Sequence, residues 1–153
     1  MQPSPISTPE PRSGATDPVV LDEQVAHLLR RAHQRASSVF LHILSERKLT
    51  PTQFFAMARL YEMGQLSQNH LGRLSAMDPA TIQGVIQRLT ERGFVHRMPD
   101  PTDRRRMVLK LSSEGEQLVI RLLEGARQVN DALLDPLSGE ERETFIRLLG
   151  KMT

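Results

Sequence analysis

Apolar residues recur every three or four positions along most of this chain, which is the spacing of one buried face of an α-helix. The first such stretch predicts a long helix within residues 17–46. Its apolar positions are Val20, Leu21, Val25, Leu28, Leu29, Ala32, Val39, Phe40 and Ile43. A helix this long in a small protein is typical of one that packs against a partner. Residues 1–16 are rich in Pro, Ser and Thr without apolar periodicity, which predicts a disordered tail.

The second predicted helix has a strong start signal. Thr50 can cap its first turn, Pro51 suits the first helical position, and Gln53 completes a capping box with Thr50. Gly64 is the glycine expected just beyond the C-terminus of this helix. The sequence therefore predicts a helix that runs from Pro51 to about Glu62.

A helix-turn-helix pattern follows. Ser67 caps a short third helix, and Asp78 and Pro79 begin a fourth helix that ends at Gly93. About three residues separate the two helices, and polar residues occupy the early turns of the second, as in helix-turn-helix motifs. The apolar residues expected to face a common core are Leu71, Leu74, Ile82, Val85, Ile86 and Leu89.

After Gly93 the apolar period shortens to two, which predicts strands over residues 94–98 and 107–111. The loop between them, residues 99–106, is rich in turn-forming residues and arginine. The sequence therefore predicts a hairpin with a charged tip, which we call the wing.

Residues 112–153 predict two further helices. The first of them starts near Ser112 or Ser113, where Ser113 and Glu116 can form a capping box, and Ser138 can cap the last. The predicted fold class is therefore mainly α, a winged helix-turn-helix of six helices with a small β-hairpin wing.

The order of these elements predicts a single subunit over residues 17–153. Residues 50–111 form its winged helix-turn-helix lobe. The N- and C-terminal helices, within residues 17–46 and 112–153, are assigned to dimerisation because both are long and amphipathic.

Composition excludes several classes of function. Cysteine is absent, which excludes disulfides, thiolate zinc sites and cysteine-based catalysis. The five histidines are scattered, so neither a metal site nor a cofactor is predicted. No nucleophile elbow, P-loop or HExxH motif indicates an enzyme. No apolar run approaches the roughly 18 residues that span a bilayer, and the N-terminus does not resemble a signal peptide. We expect a cytoplasmic protein with no membrane partner.

Charge is distributed unevenly along the chain. The net charge is only +2, yet the segment 67–110 holds 8 Lys and Arg against 4 Asp and Glu. Positive charge gathered on one segment is the pattern expected of a surface that contacts phosphates. This segment coincides with the predicted helix-turn-helix and wing, which favours double-stranded DNA as a partner.

The second helix of a helix-turn-helix motif enters the DNA major groove with its early side chains at the base edges. Gln83 and Gln87 are four residues apart and share a helix face, so each can address adenine. Thr81 can offer its methyl group to thymine or its hydroxyl to a phosphate. Gly84 would allow close approach of the helix backbone to DNA. The candidates on this helix are Pro79, Ala80, Thr81, Gln83, Gly84, Gln87 and Arg88.

The stretch from Leu71 to Gly115 resembles the DNA-binding lobe of the MarR family, the multiple-antibiotic-resistance type of regulator. The most specific match is the run Asp103, Arg104, Arg105, which fits the family's D-x-R wing signature, with Arg97 at the expected spacing before it. The number of predicted helices and the chain length also agree with this family.

The resemblance implies a homodimer that binds a pseudo-palindromic operator, functions as a repressor, and releases DNA when a small ligand binds. It also implies that Arg105 enters the minor groove and that Asp103 holds Arg105 in position. Arg104 and Arg106 are expected to contact phosphates or to stay solvated. The remaining DNA-contact candidates are Ser67, Gln68, Arg97, Asp103, Arg104, Arg105 and Arg106.

Effectors in the resembled family are commonly aromatic acids or phenols, so a small aromatic carboxylate or phenol is the expected ligand. His33, beside several arginines, can pair with a carboxylate, and Phe40, Phe54 and Met57 can supply apolar walls. His70 is a second polar candidate. The alternative is that His33 is an interface residue and the nearby arginines are surface charges. The first helix also resembles regulators of nicotinate catabolism, which implies nicotinate or hydroxynicotinate as the effector.

Two other functions remain open at this point. A winged helix can serve as a protein-interaction module, although the arginines of the wing and the polar face of Gln83 and Gln87 argue against it, since protein-contact surfaces favour aromatic and apolar residues. A constitutive DNA-binding protein without an effector is the second alternative.

Overall fold

The computed structural model describes residues 20–44 and 48–153, and these residues form mainly α-helices with a small antiparallel sheet. The predicted tail, residues 1–16, lies outside the described residues, as do residues 17–19 and 45–47 of the predicted first helix. The elements in chain order are a 3₁₀ helix (Leu21–Glu23), α1 (Val25–Ile43), α2 (Pro51–Met63), β1 (Gln65–Leu66), α3 (Gln68–Leu74), α4 (Pro79–Glu91), β2 (Val95–Pro99), β3 (Met107–Leu111), α5 (Ser113–Leu134) and α6 (Gly139–Leu149).

Side-chain caps start α2, α3, α4 and α6 where the sequence predicted them. At α2, the Thr50 hydroxyl accepts a hydrogen bond from the Gln53 backbone N–H, and the Gln53 side chain accepts one from the Thr50 backbone N–H at 3.0 Å. A second capping box joins Ser138 and Glu141 at α6. Gly64 follows α2 with a φ of +77°, a conformation that glycine adopts without steric penalty.

The predicted capping box of Ser113 and Glu116 at α5 is wrong. Ser112 is the capping residue instead, and its hydroxyl accepts from the Gly115 backbone N–H at 3.0 Å. The same hydroxyl donates to the Gly93 carbonyl at 2.7 Å, which ties the start of α5 to the end of α4. This long-range bond, invisible in local sequence, decides which of the two serines caps.

The sheet has three strands in the order β1-β3-β2 within the described residues. Strands β2 and β3 pair antiparallel, with Val95 opposite Leu111 and Pro99 opposite Met107, which confirms the predicted hairpin. The sequence analysis missed β1, in which Gln65 and Leu66 pair with the other edge of β3. A strand of two residues is too short to show an alternating pattern.

One hydrophobic core joins α2, α3, α4 and the sheet to the middle of α5. Of the residues predicted to face a common core, Leu71, Ile82, Val85, Ile86 and Leu89 are buried. Leu74 is the exception, because it lies at the end of α3 and is 37% exposed. The prediction that Leu74 faces the core is therefore wrong for the single chain.

The terminal helices leave apolar side chains uncovered. Helix α1 packs against α5, yet Val25, Leu28 and Leu29 on α1 are exposed. Within the described chain, α6 has no buried residue, and its exposed apolar side chains are Phe145, Ile146, Leu148 and Leu149. Among the helices of the described residues, none combines the length and apolar character needed to cross a membrane.

Candidate nucleic-acid interface and ligand cleft

The start of α4 is fixed by Asp78. Its Oδ1 accepts hydrogen bonds from the backbone N–H groups of Ala80 (3.0 Å) and Thr81 (2.9 Å), and its other oxygen accepts from the Thr81 hydroxyl. The hydroxyl bond from Thr81, followed by the Thr81 backbone bond, lowers the pKa of Asp78 below its usual value. Because its hydroxyl is engaged in the cap, Thr81 presents its methyl group to an incoming partner.

Helix α4 has one buried and one open face. Ile82, Val85, Ile86 and Leu89 point into the core. The predicted DNA-contact residues Pro79, Ala80, Thr81, Gln83, Gln87 and Arg88 are exposed, and Gly84 is partly exposed. A Cβ built on Gly84 would meet no atom of the described residues within 4 Å, so no internal packing requires this glycine. The space outside Gly84 is open to close approach by a ligand as large as DNA.

Gln87 already has a partner on its own helix. Its Nε2 donates to Glu91 Oε1 at 2.9 Å, an i,i+4 pair. Gln83, Gln87, Thr90 and Glu91 line a groove of about 370 Å³, together with Arg97 from β2. The bond to Glu91 uses one Nε2 hydrogen of Gln87, so the second Nε2 hydrogen and Oε1 are not engaged by it and can contact a base.

Arg97 and Gln68, both predicted to contact DNA, are brought together by the fold. The Arg97 guanidinium donates to Gln68 Oε1 at 2.6 Å, which connects β2 to the start of α3. The third predicted residue here, Ser67, caps α3 through its hydroxyl, which accepts from the His70 backbone N–H at 3.4 Å. These side chains are exposed or partly exposed beside α4 and the wing.

The tip of the wing is organised by two aspartates. Asp100 accepts from the backbone N–H and the hydroxyl of Thr102, at 2.8 and 2.7 Å, and these bonds lower the pKa of Asp100. Asp103 accepts from the Arg105 backbone N–H at 3.1 Å. The carboxylate of Asp103 also forms an ion pair with the Arg106 guanidinium at 3.3 Å.

The resemblance implied that Asp103 holds the side chain of Arg105, and the structure corrects this detail. Asp103 fixes the backbone of Arg105, whereas its carboxylate pairs with the side chain of Arg106. In a tight turn, the short side chain of an aspartate lies close to the backbone N–H of the residue two positions later. The guanidinium of that residue, at the end of a long side chain, lies farther away. Arg104, Arg105 and Arg106 are all exposed at the tip.

A cleft of about 500 Å³ lies on the other side of the helix-turn-helix, between α2, the turn that joins α3 to α4, and α5. Its lining residues are Phe54, Phe55, Ala58, Arg59, Tyr61, Glu62, Leu74, Ser75, Ala76, Leu123 and Ala126. The Phe54 and Phe55 rings meet edge to face at a centroid distance of 5.6 Å. This volume lies within the range of small-molecule sites, which are mostly apolar with a few polar groups.

The predicted ligand residues are spread over the molecule. Phe54 lines the cleft, while Phe40 and Met57 lie in the core, with Phe40 packed on Phe54 at a centroid distance of 5.3 Å. His33 on α1 and His70 on α3 are exposed and do not line the cleft described here. Of the five predicted ligand residues, Phe54 alone lines this cleft. The other lining residues were not predicted from the sequence.

Three polar residues of the cleft, Arg59, Glu62 and Ser75, were not predicted from the sequence. Arg59 forms an ion pair with Glu62 at 2.7 Å. The hydroxyl oxygen of Ser75 is buried and has no hydrogen-bond partner within the described residues. The i,i+3 spacing of Arg59 and Glu62 is readable from sequence but common on helix surfaces. Only the fold shows that both face the same cleft as Ser75. No group of three His, Asp or Glu side chains that could hold a metal occurs in residues 20–44 and 48–153.

Comparison with known proteins connects this architecture to transcription regulators. Residues 49–107 match the model of the MarR family. The transcriptional repressor NicR of Pseudomonas putida is 36% identical over 146 residues, which cover 95% of this chain and 92% of NicR.

Two solved structures share the fold over most of their length. A probable transcriptional regulator from Pseudomonas aeruginosa superposes with a TM-score of 0.83 at 44% identity, covering 87% of this chain and 99% of that one. BpsR of Bordetella bronchiseptica, whose DNA binding is regulated by 6-hydroxynicotinic acid, gives a TM-score of 0.82 at 36% identity, covering 88% and 96%. The winged helix-turn-helix of this chain and its likeness to these relatives place the chain among DNA-binding transcription regulators, and it belongs to the MarR family.

Proposed function

We propose that this protein is a cytoplasmic transcriptional repressor that binds a pseudo-palindromic operator as a homodimer and releases it when a small aromatic acid binds. The observation that carries the DNA-binding part is the open polar face of α4, which lies beside a wing with three exposed arginines. A helix face fits the major groove, and a cationic hairpin tip reaches the adjacent backbone or minor groove.

On this proposal the contacts divide by role. Gln83 and Gln87 address base edges, and Ala80 and the Thr81 methyl group contact thymine. Arg105 enters the minor groove, and Arg97, held by Gln68, contacts a phosphate. The Asp103–Arg106 ion pair keeps the tip compact while Arg105 remains available.

The uncovered apolar faces support the homodimer. Exposed apolar side chains lie on α1 and on α6, near the two ends of the described chain, and α1 itself packs on α5. Exposed apolar surface of this kind marks protein interfaces. A second copy of the same chain presents the same surface, and two-fold symmetry would match a pseudo-palindromic operator.

The effector class is supported by BpsR, because 6-hydroxynicotinic acid regulates its DNA binding and the two chains are 36% identical. Release requires that the ligand favour a dimer whose two α4 helices no longer fit the two half-sites. A coupling free energy of about 1–3 kcal/mol would change operator affinity about 5- to 150-fold.

The test is a fluorescence anisotropy titration of the protein against duplex DNA from the region upstream of its own gene, with a random duplex as control. We expect specific binding whose affinity falls with salt by a log–log slope of about −0.9 per phosphate neutralised. Addition of 6-hydroxynicotinic, 4-hydroxybenzoic or salicylic acid should release the operator. Failure to bind it above the random duplex would favour a protein-interaction module. Binding insensitive to every acid would indicate a constitutive DNA-binding protein.

A further inference from the structure

Glu91, the last residue of α4, holds a side chain that is proposed to read DNA. Its carboxylate accepts a hydrogen bond from Gln87 Nε2 at 2.9 Å, and both residues line the groove beside Arg97. We propose that Glu91 is a positioning residue for base recognition, which fixes the amide of Gln87 in the orientation that selects adenine and rejects guanine. This inference rests on the proposed function, because it requires Gln87 to face the bases of an operator.

The chemistry of the two side chains decides which way the Gln87 amide faces. A carboxylate only accepts hydrogen bonds, so the NH2 group of Gln87, and not its carbonyl oxygen, has to face Glu91. When Glu91 takes the Nε2 hydrogen that is remote from Oε1, the other Nε2 hydrogen and Oε1 remain side by side. Gln87 then presents one donor and one acceptor to the major groove.

This donor and acceptor match one purine and not the other. Adenine offers an acceptor at N7 and a donor at N6 in the major groove, whereas guanine offers two acceptors, N7 and O6. One guanine acceptor would therefore face Oε1 of Gln87. A free glutamine avoids that contact by turning its amide until only the NH2 group meets guanine. Gln87 can turn in this way only if it loses its bond to Glu91 and brings Oε1 toward the carboxylate.

Gln83 provides an internal comparison on the same face of α4. It lines the same groove as Gln87, and both side chains are exposed. Within residues 20–44 and 48–153, no hydrogen bond or ion pair engages the Gln83 side chain. Its amide can therefore turn either edge toward a base. We expect base preference to depend on Glu91 where Gln87 reads the operator and not where Gln83 does.

The position of Glu91 has an electrostatic cost. A negative charge is disfavoured at the C-terminus of a helix, and beside a DNA-binding surface it repels phosphates. The other three acidic residues between positions 67 and 110 each accept a backbone hydrogen bond, Asp78 at the start of α4 and Asp100 and Asp103 in the wing. Glu91 instead accepts from a side chain on the face proposed to meet DNA. This bond is the contact through which Glu91 can act on recognition.

The test measures base preference rather than total affinity, in the full-length protein. The probes are duplexes of the upstream operator in which each base pair of one half-site is replaced in turn, titrated by fluorescence anisotropy. The base pair read by Gln87 is the one whose preference is lost in Gln87→Ala. There the wild-type protein should prefer adenine over guanine about 5- to 150-fold, the discrimination expected of one bidentate contact. No such preference in the wild-type protein would overturn the inference.

Glu91→Ala should reduce the adenine preference at this base pair several-fold and leave the preference at the other base pairs unchanged. Glu91 and Gln87 are both exposed, so neither substitution opens the core. Unchanged preference in Glu91→Ala would overturn the positioning role and leave operator binding standing. If the wild-type protein binds its operator no better than a random duplex, the proposed function fails, and this inference fails with it.

Two further variants separate the hydrogen bond from the charge. Glu91→Gln removes the same charge as Glu91→Ala but retains an oxygen that can accept from Gln87, so it should keep more of the adenine preference. Glu140→Ala removes one negative charge from an exposed position at the start of α6 and should leave every base preference unchanged. Equal loss of preference in Glu91→Gln and Glu91→Ala would assign the effect to charge and overturn the inference.

The double variant Gln87→Ala with Glu91→Ala distinguishes positioning from direct contact with a base. If Glu91 acts through Gln87, its removal should have no further effect on base preference once Gln87 is absent. A carboxylate can also accept from N4 of cytosine. A cytosine preference that persists in Gln87→Ala and disappears in the double variant would therefore show direct contact and overturn the positioning role.

Discussion

The middle of the chain and its two ends use apolar residues in opposite ways. From α2 to β3 the large apolar side chains are mostly inside, and Leu71, Ile86 and Leu89 are fully buried. On α1, by contrast, Leu28 and Leu29 are 47% and 43% exposed, and α6 has no buried residue within the described chain. The middle segment therefore supplies most of the core, which Phe40 of α1 and the middle of α5 complete, whereas the ends also hold apolar surface that the chain itself does not cover.

This difference assigns separate tasks to the two regions. A segment with its own core can keep α4 and the wing in a fixed relation, which base contacts require. A segment that depends on a partner instead sets the distance between two copies of α4. The cleft between α2 and α5 lies where the two regions meet.

The largest expected effect comes from opening a void in the middle segment. Leu89→Ala should lower the free energy of unfolding by about 2–5 kcal/mol, because the removed side chain is fully buried on α4. Urea denaturation at two protein concentrations measures this loss, which should be the same at both. Met107→Ala, at an exposed position on β3, is the matched control and should change stability by less than about 0.5 kcal/mol. A loss that vanished at high concentration would contradict a core formed within one chain.

The next effect is expected at the N-terminal end. The double variant Leu28→Asp with Leu29→Asp should produce a particle with the mass of one chain, 17.3 kDa, in light scattering. Operator affinity should fall about 100-fold or more, because one copy engages one half-site. Gln34→Asp, on the same helix, adds charge without removing an apolar side chain and should remain dimeric. A double variant that stayed dimeric would move the interface away from α1.

A smaller effect is expected at the wing. Arg105→Ala should weaken operator binding by about 1–3 kcal/mol, because one groove contact is lost and the fold is not disturbed. Anisotropy titration at fixed salt measures the change, and circular dichroism checks the fold. Lys151→Ala removes one positive charge from the exposed C-terminal end and should leave operator binding unchanged. If both variants lost affinity equally, a diffuse charge effect would replace a specific contact.

The smallest expected effect is on the stability of the protein at acidic pH. Hydrogen bonds lower the pKa of Asp78 in the middle segment, chiefly from Thr81, and of Glu141 at the C-terminal end, chiefly from Ser138. A carboxyl whose folded pKa is lowered stabilises the protein above its unfolded pKa, and this stabilisation is lost as the pH falls through the folded value. Stability should therefore decline as the pH falls below about 4.

The matched variant is Asp78→Asn, which can still cap α4 but does not titrate. Urea denaturation at pH 5 and pH 3 should show a smaller loss for this variant than for the wild-type protein. Equal losses would mean that the cap of α4 contributes nothing to the acid response.

Much of the fold was predictable because its signals are local. The capping box of Thr50 and Gln53, the Asp78–Pro79 start of α4 and the glycines after α2 and α4 act within a few residues. The hairpin was readable from its alternating pattern, and the wing signature gave the family. Strand β1 was not predictable, because it exists only through its pairing with β3.

The candidate sites divide in the same way. The exposed residues of α4 follow from helical period, so the sequence sufficed to propose Gln83 and Gln87, and the resemblance of the wing to the family's signature sufficed to propose Arg105. The cleft did not follow, because Arg59, Ser75 and Leu123 come from three elements that only packing brings together. Met57 was predicted to line the ligand site because it is apolar, but it lies in the core instead.

By itself the sequence determined the order of the helices and of the hairpin, the caps of α2, α3, α4 and α6, the polar face of α4 and the basic wing, since each depends on neighbours a few residues apart. Only the tertiary structure decided that Ser112 rather than Ser113 caps α5, that Asp103 pairs with Arg106, and that Arg59 and Ser75 share a cleft. The Ser112 hydroxyl bonds to the Gly93 carbonyl, and the cleft likewise gathers residues that are distant in the chain. The pairing of Asp103 with Arg106 depends on the three-dimensional shape of one turn. Hydrogen bonding and packing in space, rather than sequence spacing, select such partners.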